Sequence, residues 1–371
     1  MSASPSQELD FEIRASATAV PAERRAQMLV DPGFGSVFTD HMATIRWTQD
    51  SSWHDARIET YGPITLDPAA AVFHYGQEIF EGLKAYTQAD GSVAAFRPQA
   101  NAARFNRSAI RMAMPELPES LFVRSIELLV TQDRAWVPTA EGHTLYLRPF
   151  MIATQTGLGV SRPSSSYLFS LIASPVAGYF GGAERPVTVW LSEDYSRAAP
   201  GGTGEAKCGG NYAAAFAGQQ QALDHGCDQV VWLDAAERRW VEEMGGMNVF
   251  FVYGSGADAR IVTPAASGSL LHGMTRDSLL KLGPDLGIPA VEDRVSVDQW
   301  QRGCASGEIT EAFACGTAAV ITPIGAVRGA STEWVIGDGG TGPVTSRLRE
   351  ELTGIQNGSS PDRYGWMHRI C

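Results

Sequence analysis

Lys207 has the sequence context best suited to chemistry among only three lysines in the 371-residue chain. Two glycine-rich stretches, 200–204 and 209–210, flank it, and glycine lets backbone and ligand approach each other closely. A lysine that forms an imine must be partly desolvated, so that its neutral amine can act as nucleophile and proton carrier. Lys281 lies in an amphipathic pattern typical of a solvated helix face. Lys84 remains an alternative, and so does a plain surface role for Lys207.

A phenol and two carboxylates follow Lys207 in the sequence and could share its pocket. Tyr212 lies near the start of a predicted helix, where its hydroxyl could donate to a cofactor oxygen. Glu242 and Glu243 end a strand-like run, and the period-2 alternation of a strand points them to opposite faces, so at most one should enter a shared pocket. A buried carboxylate can keep a pyridine nitrogen protonated. The alternative for Tyr212 is ordinary half-buried packing, and the alternative for Glu242 and Glu243 is that both are solvated.

Two turns and two arginines are candidates for binding phosphate or carboxylate. Met274 and Thr275 begin a predicted helix, where backbone N–H groups and a hydroxyl form an anion site. Thr317, in a Cys-Gly-Thr-Ala run, belongs to a second turn. Arg104 and Arg148 lie among apolar residues, and arginine suits the fixed recognition of oxyanions. Each is also compatible with a structural role, as a helix start, a connecting turn or half of an ion pair.

The composition indicates a folded protein with a small-molecule site. Hydrophobic residues make up 44% and charged residues 19% of the chain, which is the range of globular proteins. A formal net charge of -12 argues against a nucleic-acid or anionic membrane partner, since either needs clustered basic residues. No apolar run reaches the roughly 20 residues of a membrane span. The five cysteines include no CxxC pair, so we expect no disulfide framework, no metal site and a cytoplasmic location.

The length and the order of the patterned segments predict two α+β domains. Residues 1–30 are expected to form a flexible tail rather than a signal peptide, because the start of the chain is acidic and lacks an apolar core. A small α+β domain over 31–173, a turn-rich linker over 174–185 and a larger domain over 186–371 follow. The longer predicted helices are 98–114, 118–136, 212–224, 275–286, 297–305 and 344–355, and the clearest strands are 143–153, 167–173, 187–191, 229–233 and 247–252.

Taken together, these segments resemble the branched-chain aminotransferases, which have the two-domain, D-amino acid aminotransferase-like α+β fold of the type IV pyridoxal-phosphate enzymes. The resemblance extends from about Gly33 to Gly365 and is nearest to actinobacterial members. It rests on several long motifs in a fixed order. They are Phe34-Gly-x-x-Phe-Thr-Asp-His-Met42, His74-Tyr75, Phe80-Glu-Gly-Leu-Lys-Ala85, Pro200-Gly-Gly-Thr-Gly-x-x-Lys207-x-Gly-Gly-Asn-Tyr212, Glu243-Met-Gly-Gly-Met-Asn248 and Gly316-Thr-Ala318.

The resemblance implies that pyridoxal 5'-phosphate is the cofactor and that it lies between the domains. Lys207 would hold it covalently, which removes Lys84 as a competitor. Tyr212 would contact the ring oxygen, and Glu243, rather than Glu242, would face the pyridine nitrogen. The residues implied for the phosphate and its surroundings are Arg104, Arg197, Met274, Thr275 and Thr317.

The resemblance also implies a substrate site that is completed by a second copy of the chain. The amides of Thr317 and Ala318 would bind the substrate α-carboxylate, together with Tyr75 from the other subunit of a homodimer. Arg148 would bind the distal carboxylate of glutamate. The implied apolar pocket positions are Phe34, Phe80, Tyr146 and Val160.

The implied activity is reversible transfer of the amino group between L-leucine, L-isoleucine or L-valine and 2-oxoglutarate by a ping-pong mechanism. The partners would be amino acids and 2-oxo acids, with no nucleic acid and no membrane. Because a fold does not fix chemistry, a D-amino-acid aminotransferase or an aminodeoxychorismate lyase stays open. A catalytically silent binding protein is a further alternative, against which the intact lysine, tyrosine and glutamate count.

Overall fold

The computed structural model describes residues 9–177 and 185–371, which form two compact units. The first unit contains residues 9–177 together with Met367–Cys371. The second unit contains the described residues from 185 to Trp366. Each unit has its own sheet and its own helices.

The first unit is built on a sheet with nine strands among its described residues. Its elements are β1 (Glu12–Ile13), α1 (Ala22–Met28), β2 (His41–Thr48), β3 (Ser52–Thr60), α2 (Ala71–Tyr75), β4 (Glu78–Phe80), β5 (Leu83–Thr87), β6 (Val93–Phe96), α3 (Pro98–Arg111), α4 (Glu119–Gln132), β7 (Thr144–Ala153), β8 (Ser166–Val176) and, after the second unit, β18 (Met367–Arg369). The strand order is β1-β3-β2-β8-β7-β5-β6-β18, with β4 paired to β7. All these pairings are antiparallel except β1 with β3.

Helices α3 and α4 pack together because apolar residues recur along each at helical spacing. Pro98 occupies the first turn of α3, where its missing N–H has no helical partner to lose. Phe105 of α3, Phe122 of α4 and Phe169 of β8 form a cluster of three buried rings, with centroids 5.5 to 6.2 Å apart. This cluster anchors both helices on the sheet.

The second unit contains a sheet that closes on itself. Its elements are β9 (Val187–Ser192), α5 (Gly209–Asp224), β10 (Gln229–Leu233), β11 (Val241–Met244), β12 (Met247–Tyr253), β13 (Arg260–Thr263), α6 (Met274–Asp285), β14 (Ala290–Glu292), α7 (Val297–Ser306), β15 (Ile309–Gly316), β16 (Val320–Arg328), β17 (Glu333–Val335) and α8 (Pro343–Asn357). The order is β11-β10-β9-β16-β15-β12-β13-β14, with β17 on β16. Because β11 also pairs with β12, six strands form a ring around a core of aliphatic and aromatic side chains.

The longer predicted helices agree with the structure to within a few residues. The largest differences are at the end of α3, which stops at Arg111 rather than 114, at the start of α5, which begins at Gly209 rather than Tyr212, and at the end of α4, where a 3-10 turn over Arg134–Trp136 follows. Among the described residues, no helix combines the length and apolar character needed to cross a lipid bilayer.

The domain boundaries in the structure differ from the predicted ones. Residues 174–176 continue β8 instead of starting a linker. Pro175 is tolerated in β8 because the pairing of β8 with β2 ends at Leu171. The side of β8 that faces β2 therefore has no strand partner at Pro175, and the missing N–H removes no hydrogen bond of the sheet. Within the predicted tail, Val20 N–H donates to Asp40, which ties the chain down. Residues 1–8 of that tail and 178–184 of the predicted linker lie outside the described residues.

The C-terminal strand is a further difference from the predicted domains. Residues 186–371 were predicted to form one domain, but β18 pairs with β6 and belongs to the first unit. A three-residue strand is too short to show its partner in the sequence pattern, because only long-range pairing decides which sheet it joins.

Candidate active site

Lys207 lies in the connection between β9 and α5, and its amine meets the hydroxyl of Tyr212. The Nζ donates to the Tyr212 oxygen over 2.8 Å and lies 5.4 Å from the centre of the tyrosine ring. The contact arises because α5 begins only two residues after Lys207, which places Tyr212 in its first turn. The structure therefore brings together the two residues that spacing singled out.

Asn211 fixes the glycine-rich loop before Lys207. Its side-chain N–H groups donate to the carbonyls of Thr203 and Ala206 at 2.7 and 2.8 Å, and its Oδ1 accepts from the Thr203 hydroxyl at 2.7 Å. The side chain of Asn211 is buried. Sequence reasoning gave Asn211 no role, although an asparagine at a helix start is known to bond to nearby backbone, which was an available signal.

Glu243 of β11 is buried and forms an ion pair with Arg197. Its Oε2 accepts from Arg197 Nε at 2.8 Å, and its Oε1 accepts from the Leu271 N–H at 2.7 Å. Burial raises the pKa of Glu243, while the charge of Arg197, the Leu271 N–H and, more weakly, the charge of Lys207 oppose the rise. A carboxylate in these surroundings can hold a proton on a facing cationic group. The contact with Arg197 places that arginine beside the carboxylate, and its expected proximity to the phosphate stays a prediction.

The regular alternation that was expected to point Glu242 and Glu243 to opposite faces is interrupted in the structure. Trp232 of β10 pairs with Glu243, but the next residue, Leu233, pairs with Val241, so Glu242 is the extra residue of a β-bulge. A bulge interrupts the alternation of side chains and re-aims one of them. Both carboxylates are consequently buried, and both bind the segment 267–271.

The two predicted anion-binding turns meet at Asn248. Helix α6 begins at Met274 after Gly273, which offers no side-chain cap, and a Cβ at Gly273 would lie 2.0 Å from Asn248 Oδ1. Asn248 also pairs across the strands with Cys315, which lies two residues before the turn at Thr317. The amide ends of both turns therefore belong to one region of the second unit, as an anion site requires.

Arg276, in the first turn of α6, adds a positive charge that the sequence did not reveal. It is buried, and its Nη2 donates to the Pro264 carbonyl and to Glu292. Its Nε is buried without a hydrogen-bond partner among the described residues. Burial raises the pKa of the Cys315 thiol and the charge of Arg276 opposes that rise, so the guanidinium lies within electrostatic reach of the second turn. In the sequence, Arg276 is only an arginine at the start of a helix, and that position alone indicates no particular role.

In the first unit, an arginine lies among the aromatic residues predicted to form a pocket. The Arg148 guanidinium carbon lies 4.8 Å from the centre of the Phe80 ring, and Arg148 Nη2 donates to the Tyr146 hydroxyl at 2.9 Å. Phe34 packs against Tyr146 with ring centres 5.2 Å apart. Gly82 leaves room for this tyrosine, since a Cβ there would lie 2.2 Å from its hydroxyl. Arg148 Nε is buried and has no partner in the part of the chain that the structure describes.

The other predicted residues of the first unit make contacts of their own. Arg104 is buried and makes a two-pronged ion pair with Glu81, with N–O distances of 2.6 and 2.8 Å. Tyr75 is partly exposed, and its hydroxyl donates to the Leu158 carbonyl. Val160 is 73% exposed and so does not line a buried pocket in a single chain. The described residues contain no cluster of histidine, cysteine and carboxylate groups that could hold a metal ion.

Comparison with known proteins gives consistent matches over most of the chain. A model of the family described as amino-transferase class IV matches residues 78–327. The branched-chain-amino-acid aminotransferase of Mycolicibacterium smegmatis is 58% identical over 363 residues, which cover 98% of this chain and 98% of the relative.

Two solved structures are similar in fold. A crystal structure of the branched-chain amino acid aminotransferase of Escherichia coli aligns with a TM-score of 0.71 at 26% identity, covering 89% of this chain and 100% of the other. The T.th. branched-chain amino acid aminotransferase, solved with pyridoxamine 5'-phosphate, aligns with a TM-score of 0.71 at 27% identity, covering 89% and 99%.

Proposed function

The chain belongs to the branched-chain-amino-acid aminotransferases of class IV, and from this premise we propose which of its residues carry out the reaction. Class IV aminotransferases use pyridoxal 5'-phosphate. Lys207 holds that cofactor covalently in this proposal. The observation that supports it most is a lysine amine in contact with the Tyr212 phenol and within electrostatic reach of the buried Glu243.

The groups of the second unit fit this cofactor. An amine, a phenol, a buried carboxylate and an uncapped helix start suit its aldehyde, ring oxygen, ring nitrogen and phosphate. Met274, Thr275 and Thr317 are assigned to the phosphate, with the charge of Arg276 behind them. When bound, the cofactor supplies an electron sink that stabilises the charge left when an amino acid loses its α-proton.

Lys207 is assigned the proton transfers. Its Nζ would take the proton from the substrate Cα as general base and, once protonated, would give that proton back as general acid. Tyr212 holds the amine by a 2.8 Å hydrogen bond. Glu243 would favour the proton on the ring nitrogen that the electron sink needs, and the charge of Arg197 favours the ionised form of Glu243 against the burial that raises its pKa.

The proposed substrates are the branched-chain amino acids and 2-oxoglutarate in a ping-pong exchange. The aromatic group of Phe34, Phe80 and Tyr146 offers apolar contact to a branched side chain. Such a pocket separates leucine, isoleucine and valine by only about 1 to 3 kcal/mol per methylene, so all three should be accepted. The backbone amides of Thr317 and Ala318 are assigned to the α-carboxylate, and Arg104 stays a proposed phosphate ligand.

We expect Arg148 to bind glutamate and 2-oxoglutarate but not to contribute to the binding of the branched-chain substrates. Its Nε is a buried donor without a hydrogen-bond partner among the described residues. Donation from this Nε to the distal carboxylate of the substrate would form a charge-assisted hydrogen bond. In Arg148→Met, the kcat/KM for 2-oxoglutarate should fall about 10- to 100-fold, which corresponds to a loss of roughly 1.5 to 3 kcal/mol. Methionine keeps the apolar contact with Phe80, so kcat/KM for L-leucine should change less than about threefold.

The control for this variant is Arg124→Met, which removes an exposed arginine that pairs with Glu127 on α4. It should behave as wild type in steady-state assays with both substrates, since exposed ion pairs contribute little. An equal loss with L-leucine and 2-oxoglutarate in Arg148→Met would contradict the assignment. A wild-type protein that transaminates D-leucine but not L-leucine would contradict the proposed function as a whole.

A homodimer that contributes Tyr75 across its interface is proposed from exposed apolar side chains. In the first unit Phe73, Leu158 and Val160 are each more than 60% exposed, close in sequence to Tyr75 or to the Leu158 carbonyl that it binds. In the second unit α5 exposes Phe216. Apolar side chains clustered on a surface in this way favour an interface.

Sedimentation of the wild-type protein should give a mass near twice 39.8 kDa. Val160→Asp introduces a charge that would lose its water on formation of the interface. The variant should therefore shift the monomer–dimer equilibrium toward the monomer and lower the activity. Glu119→Gln, on the exposed start of α4, is the control and should leave the mass unchanged. A monomeric and fully active wild-type protein would contradict the dimer.

A cytoplasmic location is also proposed. All five cysteines are free thiols, and Cys208, Cys227 and Cys315 are buried. Unpaired thiols are typical of reducing compartments. Cell fractionation that recovers the active protein outside the cytoplasm would contradict this location.

A further inference from the structure

We propose that Glu242 is a positioning residue of this site: it holds the segment 267–271 where that segment binds both Arg197 and Glu243. The inference rests on the proposed role of Glu243. It concerns a residue that the strand pattern did not distinguish from Glu243 and that the resemblance passed over in favour of that neighbour.

Glu242 has the burial and the direction that this role needs. The β-bulge against Trp232 and Leu233 makes it the unpaired extra residue of β11. Its side chain is only 8% exposed. A buried carboxylate costs free energy unless hydrogen bonds satisfy it, so its partners must be well fixed.

The partners of Glu242 are the hydroxyls of two serines in the segment 267–271. Ser267 donates to its Oε1 over 3.0 Å, and Ser269 donates to the same oxygen. Ser269 is fully buried, and its backbone lies against Gly204, where a Cβ would come within 2.1 Å of the Ser269 carbonyl oxygen. One carboxylate thus fixes a stretch of chain against the loop that leads to Lys207.

That stretch of chain in turn holds the ion pair of the site. The Ser269 carbonyl accepts from Arg197 Nη2 at 2.5 Å, while Arg197 Nε binds Glu243. The Leu271 N–H donates to Glu243 and the Leu271 carbonyl accepts from Asn248 Nδ2 at 2.9 Å. Loss of the tether at Glu242 would therefore loosen both Arg197 and the amide that hydrogen-bonds to Glu243.

The charge of Glu242 adds an electrostatic effect to this tether. The charged groups that act on Glu243 are Arg197 and Lys207, which stabilise its ionised form, and Glu242, which opposes ionisation; the Cys315 thiol is the further titratable group nearby. Desolvation is the largest effect and raises the pKa of Glu243, and the negative charge of Glu242 adds to that rise. Two carboxylates and one guanidinium then favour a proton on any basic nitrogen that faces Glu243.

Hydrogen exchange in the apoprotein tests the tether. In Glu242→Ala, the Leu271 amide should exchange about tenfold faster or more, because the segment that presents it opens more often. Glu237→Gln, in the turn between β10 and β11, is the matched control, since it removes the same charge from an exposed residue, and it should exchange as wild type. A folded Glu242→Ala protein with wild-type exchange at Leu271 would overturn the inference.

Ser269→Ala provides the same test if Glu242→Ala does not fold. It removes one of the two hydroxyl donors and keeps the carboxylate, so Leu271 exchange should again rise. Wild-type exchange in this variant would overturn the tether in the same way.

Glu242→Gln separates the charge from the tether, because its amide oxygen can still accept from both serines. The titration of Glu243 can be followed by carbon NMR of apoprotein that is labelled in its glutamate carboxyl groups. The signal of Glu243 is assigned as the one that is missing from the spectrum of Glu243→Gln. The pKa of Glu243 should fall in Glu242→Gln, since the charge that raises it is gone, and remain at the wild-type value in Glu237→Gln. An unchanged pKa in Glu242→Gln would overturn the electrostatic effect.

Cofactor affinity connects these readouts to the reaction. Equilibrium dialysis of apoprotein against pyridoxal 5'-phosphate should show a loss of about tenfold or more in Glu242→Ala, the scale of lost support behind a binding group. Wild-type affinity would overturn the positioning role. Hydrogen exchange and the Glu243 titration are both measured on apoprotein. If the protein never binds pyridoxal 5'-phosphate at Lys207, the proposed function is refuted, but these two measurements still test the tether and the electrostatic effect of Glu242.

Discussion

Replacing Lys207 with alanine should lower kcat for transfer from L-leucine to 2-oxoglutarate by about 10⁴-fold. Under the proposed function, the variant loses the covalent attachment of the cofactor and the amine that moves the substrate α-proton, and we expect neither of the other two lysines to replace it. Lys281 is exposed and pairs with Asp277, and Lys84 is buried within β5. Single-turnover measurements with L-leucine separate the proton-transfer step from cofactor binding.

Two further measurements make the Lys207 result decisive. Lys281→Ala removes an equally long cation from a helix surface and should keep kcat within about twofold, as surface changes usually do. A small primary amine added to Lys207→Ala should restore part of the rate, because it supplies the missing base without repairing the fold. A Lys207→Ala protein that retains the wild-type rate would refute the assignment.

Glu243→Gln should lower kcat/KM by about 10² to 10³-fold, similar to the loss of one oriented electrostatic group in other active sites. Glutamine matches the shape of Glu243 but carries no charge, so a proton on the facing ring nitrogen loses its counter-charge and the electron sink weakens. Steady-state kinetics with L-leucine and 2-oxoglutarate measure the loss. Glu237→Gln is the control for charge alone, and it should match wild type.

The Glu243 variant also leaves the Arg197 side chain, which is only 10% exposed, without its counter-ion. Breaking a buried pair in this way costs about 3 to 5 kcal/mol, so thermal melting must accompany the assay. The double variant Arg197→Met with Glu243→Gln removes both charges and should recover stability without recovering activity. Recovery of full activity in the double variant would contradict the role of Glu243.

The contact between Lys207 and Tyr212 and the start of α6 were predictable because each depends on a short stretch of chain. A glycine-flanked lysine followed by a tyrosine in the first turn of a helix brings the two side chains together without any long-range pairing. Helix α6 likewise begins where the sequence indicates. The resemblance then supplied the cofactor, which local patterns leave open.

The shared direction of Glu242 and Glu243 was not predictable from the same patterns. Alternation along a strand holds only while the register is regular, and the register of β11 shifts against β10 between Trp232 and Leu233. A bulge is decided by two strands together, so the sequence of one strand does not show it. The inferred role of Glu242 follows directly from this long-range feature.

Arg276 and the C-terminal strand β18 escaped prediction for related reasons. The burial of Arg276 depends on Pro264 and Glu292, which lie on other elements. The placement of β18 depends on β6, far away in the chain. In both cases the determining contact is distant in sequence, where periodicity gives no information.

The most direct test is borohydride reduction of the purified protein loaded with pyridoxal 5'-phosphate, followed by digestion and mass spectrometry. Reduction fixes the cofactor on the lysine that forms an imine with it. We expect the added mass in the peptide that contains Lys207 and in no peptide that contains Lys84 or Lys281. Labelling at Lys84 or Lys281, or no labelling of a catalytically active protein, would contradict the central claim.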